Sequence, residues 1–216
     1  SMDSVFVKID TVPPSINIYE PQNNSFVPKE FTIKWDASDN FEIVLFRIYL
    51  NDSPIAELPG NTTEYNISVL ESGDYIVEVV AIDAVDLASS SRIIISIDDV
   101  PPELVFNHDN YTVFVENIVV ISWESSDNYG VAERYIRVDD NSYVEIYKDN
   151  ISLDLDDGQH IVRVRIVDVA GNYVEKCLVF YIDTGPPSIT ILSPENNSFH
   201  GENTLVISWR ATDQCG

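Results

Sequence analysis

The sequence predicts an all-β chain of tandem antiparallel β-sandwiches, and three observations carry that expectation. The phrase IDTVPPSINI at residues 9 to 18 returns as IDDVPPELVF at 97 to 106 and as IDTGPPSITI at 182 to 191. Its Asp recurs at 10, 98 and 183, and an independent marker, Trp35, Trp123 and Trp209, keeps nearly the same spacing of 88 and 86 residues. Self-similarity at a fixed period marks one structural unit repeated along the chain. Within a unit, apolar residues alternate with period two, as half-buried strands require. Turn signals arrive roughly every 8 to 12 residues, a cadence that gives about seven short strands per unit and marks a sandwich.

In the first unit the strands read as 15 to 19, 30 to 36, 43 to 50, 54 to 57, 64 to 69, 74 to 82 and 91 to 97, with the second unit shifted by about 87. FTIKW sets Phe31, Ile33 and Trp35 on one face and Thr32 and Lys34 on the other; VVISW and LVISW repeat the pattern. YIVEVVAID turns Tyr75, Val77, Val79 and Ala81 inward, matched by His160, Val162, Val164 and Ile166 of HIVRVRIVD. Between them lie the turns Pro21 to Asn24, Asp39-Asn40, Asn51-Asp52, Gly60-Asn61, Ser72-Gly73 and Asp83 to Asp86, all of residue types that bend backbone. No stretch has helical spacing.

The final strand of each unit runs directly into the repeated phrase, as RIIISID at 92 to 98 and CLVFYID at 177 to 183, and SVFVKID at 4 to 10 has the same form. The expected organisation is therefore beads on a string: residues 1–9 as the last strand of a preceding repeat, sandwiches over 10–97 and 98–182, and a truncated third repeat, its first two strands, over 183–216. Two strands carrying Ile189, Ile191, Leu205, Ile207 and Trp209 leave an apolar face they cannot cover alone. This piece is expected to pack back on the second unit or to support self-association with another copy.

Composition bounds function. With 216 residues, 44% of them hydrophobic, and 11 Tyr, 9 Phe and 3 Trp, the chain has the apolar surface to build real cores. Its 36 acids against 12 Lys and Arg give a net charge of −24, spread along the chain. Such a surface repels nucleic acid and anionic lipid and invites cations. No apolar run approaches the roughly 20 residues of a membrane span, so direct membrane insertion is not expected. Cys177 and Cys215 fall at non-matching positions in different repeats and read as unpaired. Asn23, Asn51, Asn61, Asn66, Asn110, Asn150 and Asn196 each begin an Asn-x-Ser/Thr acceptor, an excess that points to an exported, extracellular, glycosylated protein of the cell surface. The same residue types are also ordinary turn formers.

The acids have a place in the fold. In this topology the start of the first strand and the loops after the second and sixth strands share one pole. The first unit puts Asp10, Asp39 with Asn40, and Asp83 with Asp86 there; the second puts Asp98 and Asp99, Asp127 with Asn128, and Asp168 with Asn172; the third retains Asp183 and Asp213. Carboxylates about 4 Å apart repel by about 1 kcal/mol in water and more where shielded. Calcium suits such a pole, since it accepts six to eight hard oxygen ligands at flexible angles. The alternative is that these residues build Asx turns with no metal, since the loops have no EF-hand or calcium-nonapeptide spacing.

LESGDY at 70 to 75 and LDDGQH at 155 to 160 precede the sixth strand of each unit. The first resembles the tyrosine corner of immunoglobulin-like and fibronectin type III-like sandwiches, and the second departs from it with His160 in place of Tyr. Together with IDTVPPSINIYEPQNNSF and IDTGPPSITILSPENNSF, TIKWDASDN, VISWESSDN and VISWRATDQ, and VDVAGNYV, the chain resembles the immunoglobulin-like repeats of prokaryotic, especially archaeal, cell-surface and S-layer proteins. That resemblance implies spacers, lattice elements or adhesive modules, often glycosylated and sometimes calcium-stabilised. The first unit departs where DAVDLA replaces Asp-x-Ala-Gly-Asn.

No hydrolase, metalloprotease, phosphate-loop or Cys-x-x-Cys motif is present, and His108, His160 and His200 do not converge in sequence. The expected function is a non-catalytic structural bead of a large surface protein, contacting other copies of such proteins. The competing readings are an adhesive module whose Tyr111, Tyr143 and Tyr147 stack on glycans, and an accessory domain of a secreted hydrolase.

Overall fold

The computed structural model describes residues 5 and 7 to 213. The chain divides into two compact units, Ser1–Val100 and Pro101–Gly216. In the first, the strands are β1 (Ser15–Glu20), β2 (Ser25–Phe26), β3 (Glu30–Ser38), β4 (Ile43–Leu50), β5 (Ser53–Pro59), β6 (Glu64–Ser68), β7 (Gly73–Asp83) and β8 (Ala88–Ile97). They form a three-stranded sheet, β1-β3-β6, and a five-stranded sheet, β2-β8-β7-β4-β5. Every pairing is antiparallel except β2 with β8.

The second unit repeats this order with β9 (Glu103–Phe106), β10 (Thr112–Phe114), β11 (Ile118–Ser126), β12 (Val131–Val138), β13 (Val144–Glu145), β14 (Asn150–Asp154), β15 (Gly158–Asp168) and β16 (Tyr173–Ile182). Its sheets are β14-β11-β9 and β10-β16-β15-β12-β13, with β10 parallel to β16. Each sandwich, β1 to β8 and β9 to β16, therefore has eight strands among the described residues where about seven were expected. The extra one is the continuation of the first strand, which crosses to the other sheet and lies parallel to the last. Two or three residues long, it is too short to show alternation.

Period-two alternation becomes two filled layers. Ile33, Trp35, Phe46, Ile48, Val77, Val79, Ala81, Ile95 and Ile97 fill the first core, and Leu104, Ile121, Trp123, Ile136, Val162, Val164, Ile166, Leu178, Phe180 and Ile182 fill the second. Trp35 meets Phe46 edge to face at 5.3 Å, and Trp123 meets Phe106 in the same way at 6.3 Å. Both indole N–H groups are buried without a hydrogen-bond partner. Such an orphan donor costs about 1–3 kcal/mol. Burying the ring, about 150–250 Å² at roughly 25 cal/mol per Å², returns about 4–6 kcal/mol, so the tryptophans remain net stabilising.

Residues 5 and 7 to 14 carry no strand, in contrast to the expectation for residues 4 to 9; Ser4 and Phe6 lie outside the described residues. Val5, Val7 and Ile9 have no ladder to join and stay exposed. In the third repeat, β17 (Ser188–Ser193) pairs antiparallel with β18 (Ser208–Thr212), and Ile191 faces Trp209 as Ile18 faces Trp35 in the first unit. Its apolar residues are exposed, Trp209 by 63%. Cys177 is a free, exposed thiol, and Cys215 lies outside the described residues.

Candidate metal centre and the loop poles

At the pole of the first unit, three segments converge. Asp10 precedes β1, Asp39 follows β3 and Asp83 ends β7; one carboxylate oxygen from each lies within 4.8 Å of the others. Backbone bonds fix the loops. The amide of Ala84 donates to the Glu42 carbonyl at 3.1 Å, and those of Asp83 and Asp86 donate to Leu87 and Asp83 at 3.0 and 3.3 Å.

Each of these carboxylates has one oxygen anchored. Asp10 Oδ1 accepts the Val12 amide and Asn40 Nδ2 at 3.0 and 3.1 Å, and Asp39 Oδ2 accepts the Phe41 amide at 2.8 Å. Asp83 Oδ1 accepts the amides of Val85 and Leu87 at 2.8 and 2.9 Å. The other oxygens, Asp10 Oδ2, Asp39 Oδ1 and Asp83 Oδ2, are buried and have no hydrogen-bond partner. Asp83 as a whole is 0% exposed. A buried acceptor without a donor costs about 1–3 kcal/mol, and more when it is charged and faces like charge.

At the matching loops of the second unit, oxygens of Asp127 and Asp168 lie within 4.8 Å of each other. Asp127 Oδ1 accepts the amides of Tyr129 and Gly130, and its Oδ2 is buried without a hydrogen bond. Asp168 differs from Asp83. Its Oδ1 takes the amides of Ala170 and Asn172 at 2.9 and 2.8 Å, and its Oδ2 accepts Asn172 Nδ2 at 2.9 Å. Here Asp-x-Ala-Gly-Asn supplies its own donor. Asn172 is thus a cap for Asp168 through its amide nitrogen, and Leu87 occupies the equivalent place in the first unit.

Asp86 sits at a turn with φ of 66° and joins no group of acids among the described residues. Asp98 follows β8 and its Oδ1 accepts the Val100 amide. Asp99 pairs with Lys29 at 2.5 Å and with Ser72, and these bonds, that to Lys29 foremost, hold its carboxyl below the usual range. Asp183 Oδ1 accepts the Gly185 amide, and Asp213 is exposed.

Sequence reasoning missed one equivalence. Tyr75 Oη donates to the Glu71 carbonyl at 3.0 Å, forming the corner, and His160 Nε2 reaches the Asp156 carbonyl at 2.9 Å in the same way. The departure at His160 keeps the bond. Nδ1 of His160 also meets Asp139 Oδ2 at 2.9 Å. Burial works against its charge, but the hydrogen bonds to Asp139 and Asp156 outweigh that and raise its pKa above the ordinary value. The -x-x-Gly- spacing ahead of each corner residue was the available signal: Gly73 and Gly158 adopt φ of 153° and 142°, which favour glycine.

No family model matches the sequence, and no curated protein is similar to it. Among solved structures, the chain is similar to Sidekick-1 immunoglobulin domains 1–5, with a TM-score of 0.52 and 14% identity over 84% of this chain and 41% of that one. The fold is the immunoglobulin-like sandwich, repeated in tandem. A looser likeness joins it to the fibronectin(III)-like modules of Clostridium thermocellum CbhA, with a TM-score of 0.48 and 13% identity over 78% of this chain and 94% of that one. The immunoglobulin-like units span under half of the Sidekick-1 chain.

Around these units the other functional candidates have structural partners. Guanidiniums of Arg137 and Arg165 lie 5.2 and 4.9 Å from the Tyr143 ring, so its faces are engaged and not presented for stacking. Tyr111 and Tyr147 are exposed by 65% and 82%. All seven acceptor asparagines are exposed. Three also build the fold, since Oδ1 of Asn23, Asn51 and Asn110 accepts the amides of Ile94, Ile76 and Val179 at 2.8 to 2.9 Å. No helix among the described residues is long and apolar enough to cross a membrane.

Proposed function

We propose that the chain is a non-catalytic spacer module of a large extracellular surface protein, in which repeated sandwiches set distance and resist deformation. The observation that carries this reading is the duplication itself: two units with the same strand order and buried tryptophan, and with polar side chains at the loop ends used largely to hold backbone. The histidines fit it. His160 anchors a corner, His108 Nε2 meets the Val120 carbonyl at 3.1 Å, and His200 meets Ser198 Oγ on an exposed segment. Seven exposed glycosylation acceptors and the −24 charge favour a soluble surface outside the cell.

Glycan arrays, together with surface labelling of cells that express the parent protein, test this role. A spacer is labelled from outside and binds no glycan selectively. Selective, saturable binding lost in Tyr111→Ala or Tyr147→Ala would replace the spacer with an adhesin. Protection from external label would remove the extracellular assignment.

A further inference from the structure

The geometry points to a divalent-cation site, of calcium's size and preference for oxygen, held by Asp10, Asp39 and Asp83 at the pole of the first unit. Two independent observations carry it. Oxygens of three carboxylates far apart in sequence come within 4.8 Å of one another. Asp83 is also wholly buried, with Oδ1 committed to two backbone amides and Oδ2 left without a donor. Asp10 and Asp39 share that division, each anchored through one oxygen and leaving the other buried and unpartnered.

No basic side chain neutralises them: among the described residues, none of the three takes part in an ion pair. The donor set selects the ion. Three carboxylate oxygens with no thiolate or imidazole disfavour zinc. Magnesium requires a near-ideal octahedron and sheds water reluctantly, whereas calcium accepts irregular sets completed by loop carbonyls and water. In the second unit the oxygen equivalent to Asp83 Oδ2 has a donor. There Asn172 Nδ2 donates to Asp168 Oδ2, and the first unit has Leu87 at that place. The cation therefore does for Asp83 what an amide does for Asp168. The site is separate from the spacer role, which stands or falls without it.

Hydrogen exchange of the full chain, read by mass spectrometry, is compared in calcium and in chelator with sodium chloride at matched ionic strength, because a chain of −24 responds to any salt. Calcium is expected to slow exchange in peptides covering residues 8 to 13, 37 to 43 and 82 to 88. At about a hundredfold excess over Kd it should raise the melting temperature of the first unit by roughly 10–20 °C. Asp83→Asn, which puts a donor in place of the bare oxygen, is expected to abolish both effects and to melt higher than the parent chain in chelator. Leu87→Asn, which copies the second unit's cap, should shrink the calcium response if Asp83→Asn does not fold. Equal exchange and melting in calcium and sodium, or an undiminished response in Asp83→Asn, would overturn the site. An equal response to magnesium would overturn the assignment to calcium.

Discussion

The two units share sheet order and tryptophan position but stabilise their loop ends differently. At the pole, the second unit covers Asp168 with the Asn172 amide, while the first leaves Asp83 Oδ2 without a hydrogen-bond donor. At the corner the roles reverse, for the first unit uses a tyrosine hydroxyl and the second a titratable imidazole. The fold tolerates either chemistry because the constraint is on the backbone: the carbonyls of Glu71 and Asp156 need a donor, and the loops after β7 and β15 need an acceptor for two amides each. Which side chain meets the need is free to vary. That variation sets the conditions to which each unit responds.

The largest expected effect tests whether the units are separate bodies. Trp35→Ala should cost about 3–5 kcal/mol in the first unit and leave the second unit's unfolding transition in place, with Trp123→Ala doing the converse. Denaturant melts followed by exchange in each unit decide it, and a single transition moved equally by both variants would contradict the division.

Gly60→Ala sharpens the comparison next. A Cβ at Gly60 would lie 1.7 Å from the Ile43 carbonyl oxygen, inside the backbone where β4 starts. The edge strand β5 has to shift, at about 1–3 kcal/mol, and the loss should appear in the first unit alone. Thermal melts of the variant would show it, and an unchanged stability would mean that this end of β5 is already loose.

At the poles, alanine at Asp83 and at Asp168 removes the same two loop hydrogen bonds, yet the outcomes should differ. In chelator, both variants relieve repulsion, Asp83→Ala with Asp10 and Asp39 and Asp168→Ala with Asp127, but only Asp168→Ala also strands the Asn172 amide. The second variant is therefore expected to be the more destabilising by about 1–2 kcal/mol. Urea titrations of both variants check the order, and the reverse order would remove the physical basis for distinguishing the poles.

The smallest effect concerns pH. Because His160 has its pKa raised above 6.5 in the folded unit, its charged form contributes stability that is fully present below the unfolded value and is lost as pH rises through the folded one. The second unit should gain stability on acidification from pH 8 to 6 relative to a His160→Tyr variant, which restores the first unit's corner chemistry. Parallel slopes in melts of the two proteins would show that His160 does not titrate as its contacts imply.

Much of this was legible beforehand. Strands such as β3, β4 and β7 announce themselves because burial on one face imposes alternation, and the observed bounds differ from the expected ones by two residues or fewer there. The crossing segments β2 and β10 were not legible, since a few residues carry no period and their partner is the last strand of the same unit. The acid list was legible as a pole and not as a site. Asp86 and Asp99 are next to site candidates in sequence, but one occupies a turn and the other pairs with Lys29.

The sequence by itself determined the repeat, the two-layer sandwich and the pole to which the acids belong, because these follow from local period and from spacing along one chain. Only the tertiary structure decided that Asp10, Asp39 and Asp83 meet, that each keeps one buried oxygen without a donor, and that Asn172 removes that condition at Asp168. The reason is physical. Hydrogen bonds and ligand sets are fixed over a few ångströms by loops that are distant in sequence, and a pattern of residue types contains no such distances.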